Sequence, residues 1–590
     1  MFQKFKKHHL ALFLSLFVGL IYACHHFIIP NFLDAKTAVY YPITTQSYPD
    51  EALLYAPRAH AAMQGRWFGG DIALAEYQGG PSVLPMLNPL LLGGLGRLSG
   101  SMKAGIIASD FIFPMLIFLA VYFLAYELSG RKKWSLVFAT IFLFVPKFGI
   151  AIPPVTFLNL KEFGKLFFPF LNMQEPFYFS QFEEPKLTFL FFAMALFFFV
   201  RAMKRNSAGT ILLAGVSLGA LFYTYLYDWV TLISAMGLFS FWSLYKKDFT
   251  AAKQTAAIAA VGVLCSVGYW YNFWHLLEYP DVLARAGGEF SHALRFASVW
   301  KSYLRVFVFV FVLIAFWHNH DKRHLRIIGA LLFAYFAVVN VQIITGFNPQ
   351  PDHWYRVQFL PLALAAWLIF LRLYDLFAVP ATEKIRMRGN TIAAFFLLYF
   401  LAGTFYAGAM YSVTHSGDYA VLRRDDAVFA WLREHTEKGS VVGTLSGSRN
   451  NEILLHTENK IFLPFGFATQ ASDREIWERT MTLARLYGFT PEEFSAYIQG
   501  SVYYLFAEKY GDHSFDANFK HYERKLPDDI LREKVKEYSA YVEKPAMRYR
   551  LDYLHIDEKE LGLGKDPALV TPSLEKVFDK EGIRIYSVLK

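Results

Sequence analysis

Ala104-Gly-Ile-Ile-Ala-Ser-Asp110-Phe-Ile-Phe-Pro-Met-Leu-Ile-Phe-Leu-Ala-Val-Tyr-Phe-Leu-Ala-Tyr-Glu127-Leu128 is a nearly unbroken apolar run of 25 residues. Roughly 20 such residues carry a helix across a bilayer, so the run predicts a membrane span with Asp110 near one end. Working outward, further apolar windows fall at about 10–29, 134–152, 187–200, 209–226, 229–245, 254–274, 303–317, 327–345, 358–371 and 391–412. Together they predict about eleven spans. The segments on either side of 227–229 read as two spans rather than one long helix, because basic clusters follow both.

Composition agrees. The 590 residues are 55% hydrophobic and 18% charged, with 60 Phe and a mean hydropathy of +0.28; a soluble fold is a poor fit. The net charge of +9 sits in short clusters, Lys4/Lys6/Lys7, Arg131-Lys132-Lys133, Arg201/Lys204/Arg205, Lys246-Lys247, Lys322-Arg323/Arg326 and Arg372/Lys384/Arg386/Arg388. They occupy every second gap between apolar runs, as cytoplasmic loops do. Basic charge is therefore topology, and no basic, aromatic groove points to nucleic acid. Cys24 and Cys265 lie inside apolar runs and support neither a disulfide framework nor a thiolate metal site. Leu20 to Cys24 faintly resembles a lipoprotein cleavage site, but Tyr22 fits it badly and the segment reads as a retained span.

This alternation places the N-terminus in the cytoplasm and the chain from about Thr414 outside. The outer gaps are the long ones. The first, about 30–103, holds Gly and Pro breaks (Gly79-Gly-Pro81, Pro85, Pro89) and two amphipathic pieces, 50–64 and 83–98, suited to the membrane surface. The second, 153–186, carries Glu162, Lys165, Glu175, Glu183 and Glu184. The gap at 275–302 holds His275, Glu278, Asp281, Arg285, Glu289, His292 and Arg295. From Asp418 the composition is that of a soluble domain, with helical patterns at 425–436, 472–487, 491–499 and 527–543 and strand-like stretches at 440–444, 501–507, 549–556 and 583–588. No dinucleotide fingerprint, P-loop or nucleophile elbow opens it, so no catalysis is assigned there. The expected architecture is a polytopic α-helical membrane protein: a transmembrane region over 1–414 and an extracytoplasmic α/β domain over 415–590.

Three constellations carry candidate chemistry. In Ser47-Tyr-Pro49-Asp50-Glu51, adjacent carboxylates open a helix-like segment on which Glu51, Tyr55 and Arg58 share a face. They could take a proton or hold a metal, although acids in a first turn also simply suit the helix dipole. Asp110, Lys147 and Asp228 lie close to the outer ends of spans, where a charge usually faces a polar cavity; snorkelling explains Lys147 more easily than the aspartates. Asp352-His353-Trp354-Tyr355-Arg356 leads directly into a span, and its Arg fork and switchable His suit an anionic phosphate; Trp, Tyr and Arg are also common interfacial anchors. Lys161, Lys165, Lys186, Arg285 and Arg295 are outer-face cations that could hold a phosphate or pyrophosphate headgroup, although each by itself reads as a solvated loop charge, and Tyr223/Tyr225/Tyr227 read as packing or an aromatic belt.

The pattern resembles the GT-C superfamily of integral membrane glycosyltransferases. Pro49-Asp50-Glu51-Ala52-Leu-Leu-Tyr55 is similar to the acidic first-loop start of aminoarabinose transferases and protein O-mannosyltransferases. His353-Trp-Tyr-Arg356-Val-Gln-Phe-Leu-Pro361 is similar to their late-loop segment entering a span. The likeness covers the architecture of about 1–412. It implies a polyprenyl-phosphate-linked sugar as donor, a membrane lipid carrier and a glycan, lipid or protein acceptor; a divalent metal is left open, and the short loops favour a bacterial inner (plasma) membrane over an endomembrane. It also implies Asp50 as base with Glu51 as its partner, and His353 and Arg356 on the carrier phosphate; Tyr55, Arg58, Asp228 and Tyr355, from the constellations above, are the further substrate-binding candidates. The Trp-Trp-Asp motif of oligosaccharyltransferases is absent, which argues against transfer of large glycans to Asn. A glycan polymerase or ligase, and a flippase, are the competing readings; the first normally places its main loop late, the second needs internal repeats that are not evident here.

Overall fold

A computed structural model describes residues 8–44, 54–67, 69–151, 157–172, 177–289, 292–294, 300–317, 323–349, 351–378, 383–511, 524–543, 547–561, 566–567, 571 and 574–588. The chain divides into two compact units, one of 1–32, 106–269 and 290–416, the other of 33–105, 270–289 and 417–590.

The first unit is helical. Its main helices are α1 (His9–Ala23), α2 (His25–Ile28), α3 (Met102–Ser129), α4 (Lys132–Phe144), α5 (Lys186–Arg205), α6 (Ala208–Leu221), α7 (Leu226–Tyr245), α8 (Phe249–Cys265), α9 (Trp300–Trp317), α10 (Arg323–Val339), α11 (Phe359–Ala378) and α12 (Glu383–Thr414). Among the described residues, four helices are long and apolar enough to cross a membrane. These are Met102–Ser129, Lys186–Arg205, His353–Leu376 and Ala394–Thr414. The number rises to six if the pairs His9–Ala23 with His25–Asn31, bent by 44°, and Phe249–Cys265 with Val267–Leu276, bent by 52°, each make one span. That falls short of the eleven expected windows. Some of the remaining windows fold as shorter helices, since the 134–152 window breaks after Phe144 and α6 is only 14 residues long, whereas α7, at 20 residues, is long enough but less apolar than the four. The 209–245 region does fold as two helices, parted at 222–225, which puts Asp228 in the first turn of α7.

Local signals explain several boundaries. Ser207 caps α6 by accepting from the Thr210 amide. Asp248 caps α8 and also accepts from Arg323 and Arg326 at 2.8 Å each. Those hydrogen bonds hold its carboxyl down at about 2. Part of the expected cytoplasmic basic cluster is therefore structural, binding the start of α10 to the start of α8.

In the second unit, β1 (Ala38–Tyr40) pairs antiparallel with β2 (Ala420–Leu422). A five-stranded sheet follows from β3 (Val441–Gly443), β4 (Lys460–Ile461), β5 (Tyr553–Ile556), β6 (Leu574–Lys580) and β7 (Ile583–Val588), in the order β4-β3-β5-β7-β6. β3 runs parallel to both neighbours, and β6 and β7 form a hairpin. Glu581 and Gly582, both at positive φ, make its two-residue turn, the geometry that matches strand twist. Helices Arg423–His435, Gly447–His456, Asp473–Leu486, Pro491–Gly500 and Asp528–Glu543 accompany the sheet. The expected strand at 501–507 is instead the helix Val502–Phe506, since a short apolar run does not by itself distinguish the two.

The first loop belongs to this core. Ala73 and Leu74 are buried among β-sheet and helix residues such as Val442, Ile461, Phe462 and Ile476. The Ile461 amide bonds to the Ala73 carbonyl at 3.0 Å. Lys460 is fully buried with its ammonium 2.7 Å from the Ile72 carbonyl, and burial pulls its pKa down to about 7. At the C-terminal end of β3, where open α/β sheets bind ligands, the Glu560 carboxylate accepts from the Leu445 and Ser446 amides at 2.8 and 3.0 Å. The chain itself thus fills that position.

Candidate functional site

Three helices of the first unit begin at one narrow pocket. The turn before α5 supplies Glu184 and Pro185, and its first turn Thr188. The start of α7 supplies Tyr225 and Asp228, and the entry to α11 supplies Arg356, Val357, Phe359 and Leu360. Tyr178, Phe179, Phe189 and Phe192 complete an aromatic wall. Helix N-termini carry partial positive charge from unpaired N–H groups. Their convergence favours a negative group, native carboxylate or bound anion alike.

The polar side chains form a short network. Arg356 donates from Nη1 to Glu184 Oε1. His353 Nδ1 lies 3.8 Å from that oxygen and 2.7 Å from the Tyr225 hydroxyl. The His353 ring packs on Tyr227, centroids 5.2 Å apart, and Tyr227 donates its hydroxyl to the Pro349 carbonyl at 2.9 Å. Trp354 is buried and donates to Asn348 at 2.7 Å, so it fixes the segment rather than anchoring it at a surface. The Lys147 ammonium sits 5.6 Å from the Tyr178 ring centroid, at the pocket wall. Asp228 is only 7% exposed and makes no hydrogen bond or ion pair among the described residues. A buried carboxyl without a partner is costly, and one that lines a pocket is placed to meet a ligand.

The structure brings together three of the expected site residues, Asp228, His353 and Arg356. Tyr355 is exposed, its ring 5.5 Å from Phe359. Tyr55 and Arg58 belong to the second unit. Tyr55 is the residue before the helix Ala56–Met63, and Arg58 is buried and donates to the Pro85 carbonyl. Asp50 and Glu51 lie outside the described residues, as does Arg295. Three cations expected to be solvated are not: Lys186 and Arg285 are wholly buried, and Lys165 is 7% exposed. Arg285 binds Asp473 at 2.7 Å and the carbonyls of Thr469 and Ala471 at 3.0 and 2.8 Å. Glu184 and Tyr225 were legible only as a loop acid and a packing tyrosine. The available signal was Glu183-Glu184-Pro-Lys186 set directly against an apolar run.

Among the described residues, one group could hold a metal: His25, His26 and Asp110, whose ligand atoms lie within 4.8 Å of one another. Asp110 already pairs with the buried Lys186 ammonium. A dication there would set three positive charges, its own two and that of Lys186, against one carboxylate, which the charge balance of a buried site opposes. The residues fit an ion-pair network better than a metal.

No protein-family model matches the chain, and no curated protein matches it. Among solved structures, the chain is similar to ArnT from Cupriavidus metallidurans bound to undecaprenyl phosphate, at 11% identity and TM-score 0.46 over 97% of each chain. It is also similar to the Archaeoglobus fulgidus oligosaccharyltransferase in complex with Zn and sulfate, at 12% identity and TM-score 0.44 over 98% of this chain and 73% of that one. A third is the arabinofuranosyltransferase AftD from Mycobacteria, at 13% identity and TM-score 0.45 over 99% of this chain and 42% of that one. At TM-scores below 0.5, these likenesses leave fold and activity to be argued from the chain itself.

Proposed function

We propose that the protein is a multi-pass membrane glycosyltransferase that moves a sugar from a polyprenyl-phosphate carrier to an acceptor on the outer membrane face. The observation that carries this reading is the pocket where three helix starts converge on Arg356, His353 and the unpartnered Asp228. A lipid phosphate suits the cationic end of such a site. Arg356 offers a forked donor, and the helix starts add positive potential in low-dielectric surroundings. The aromatic wall suits the apolar face of a sugar ring and excludes water. About 18 Å further along α7 by helix rise, Leu238, Phe241, Trp242 and Tyr245 face Phe333 and Phe336 of α10 across an apolar groove with room for a prenyl chain.

The reaction is a displacement at the anomeric carbon. A carboxylate takes the proton of the acceptor hydroxyl, the acceptor oxygen bonds to the anomeric carbon, and the carbon–phosphate oxygen bond breaks. The electron pair leaves on the lipid phosphate, where Arg356 and His353 stabilise it. The GT-C resemblance assigns the base to Asp50 with Glu51 beside it, and inversion follows from a single displacement. Asp228 accepts a hydroxyl of the sugar, and Glu184 keeps Arg356 aimed at the pocket.

The test is transfer from a panel of radiolabelled polyprenyl-phosphate monosaccharides by the purified protein, with and without EDTA, beside Asp50→Asn/Glu51→Gln. Release of label by wild type and its loss in the double variant is the expected result. Full activity in a correctly inserted double variant would remove the first-loop base from the mechanism. No release across the panel would remove the glycosyltransferase.

A further inference from the structure

A second buried network joins the start of α5 to α2 and α3. The His26 Nε2 and Asp110 Oδ2 atoms are 2.8 Å apart. Lys186 donates to Asp110 Oδ1 and, at 2.8 Å, to the Ser109 hydroxyl. His25 Nε2 is 3.9 Å from Asp110, and its Nδ1 is 2.8 Å from the Tyr22 carbonyl. The Lys186 ammonium also stands 5.3 Å from the Phe182 ring centroid. Asp110 is 3% exposed and Lys186 0%. One carboxylate and one ammonium balance there, so the network needs no ligand to be complete.

Its significance is where Lys186 sits in the chain. Glu184, Pro185 and Lys186 are consecutive, and the turn is locked to the helix by backbone bonds from Leu187 to Glu183 and from Phe189 to Pro185, both 2.9 Å. Fixing the Lys186 side chain against α3 and α2 therefore fixes the Glu184 backbone two residues away. Glu184 in turn holds Arg356, with His353 beside it. Resting on the glycosyltransferase reading above, we propose that Lys186, held by Asp110 and His26, is a positioning residue that sets Glu184 and through it the phosphate-binding aim of Arg356. A burial-only role would stabilise the fold without reaching the ligand. This one reaches it through a single side chain, because shifts of about an ångström at a binding group are enough to alter its affinity.

The experiment is a double-mutant cycle on the full chain in detergent, reading the Kd for undecaprenyl phosphate and, separately, the melting temperature. Lys186→Met is expected to change the Kd by about tenfold, within the range of coupling between neighbouring residues, and Lys186→Arg to recover most of the change. In a Glu184→Gln background the same Lys186→Met step is expected to change it by less than about twofold, because the group it positions is gone. Asp110→Asn/Lys186→Met, which leaves no unpaired charge, runs the same cycle if Lys186→Met alone does not fold. Equal changes in both backgrounds, or a folded Lys186→Met with wild-type affinity, overturn the positioning role while leaving the pocket as the site. No saturable binding by wild type overturns the glycosyltransferase reading, and the positioning role with it.

Discussion

Two clusters of ionisable side chains, both near helix starts of the first unit, differ in how fully they are satisfied. Around Asp110, the carboxylate meets one ammonium and one imidazole, and that ammonium also donates to the Ser109 hydroxyl. Around Arg356 the guanidinium is shared with Glu184, while Asp228 lines the same pocket without a hydrogen bond. Asp110 and Asp228 are both buried, at 3% and 7% exposed, so burial of a carboxylate does not by itself separate structure from function here. Incomplete satisfaction does: a closed network positions chain segments, and an open one waits for a ligand.

The contrast can be broken from either side. Asp110→Asn leaves Lys186 charged and unpaired, and is expected to cost about 3–5 kcal/mol of stability, read as a fall in melting temperature. A variant as stable as wild type would mean that the network is not closed. Arg356→Met should leave the fold standing and lower transfer by about 100- to 1000-fold, the usual loss for a donor aimed at developing charge; kcat and KM separate that loss from weaker binding. Asp228→Asn keeps the shape and removes the charge. Transfer should fall by about 10- to 100-fold with an unchanged or raised melting temperature, because a buried unpartnered carboxyl is a liability to the fold. A drop in stability would instead make Asp228 a member of a closed network.

The smallest effect is expected in the second unit. Burial and the neighbouring His60 and Arg433 hold His456 down at about 3, against an ordinary 6.5. Between those values the unfolded chain binds a proton that the folded one does not, so stability falls as pH drops through that window. From pH 6.5 to 5 this amounts to about 1–2 kcal/mol, and His456→Gln should flatten the dependence. An unchanged slope would assign the acid sensitivity to other groups.

Much of the open site was legible because its residues are chemically out of place. Asp228 beside apolar runs, and His353 with Arg356 entering a span, could be singled out without coordinates. What joins them could not: Glu184 is 44 residues from Asp228 and 172 from Arg356 in the chain, and only the shared start of three helices makes them neighbours. Tyr225 read as packing because three alternating tyrosines resemble an interfacial belt, yet its hydroxyl is the partner of His353. The closed network was missed for the opposite reason. Lys186 read as an outer-loop cation, and His25 and His26 lie inside the first apolar window, where nothing local pairs them with Asp110. The two-unit division was also hidden, since nothing local in Ala73-Leu74 tells that it packs with strands almost 400 residues later.

The central claim is that the open pocket binds the phosphate of a lipid-linked sugar. Its most direct test is equilibrium binding of undecaprenyl phosphate to wild type and to Arg356→Met, each confirmed folded by its melting temperature. The account predicts saturable binding that weakens by about tenfold or more without Arg356. Equal affinity in the two proteins would contradict it.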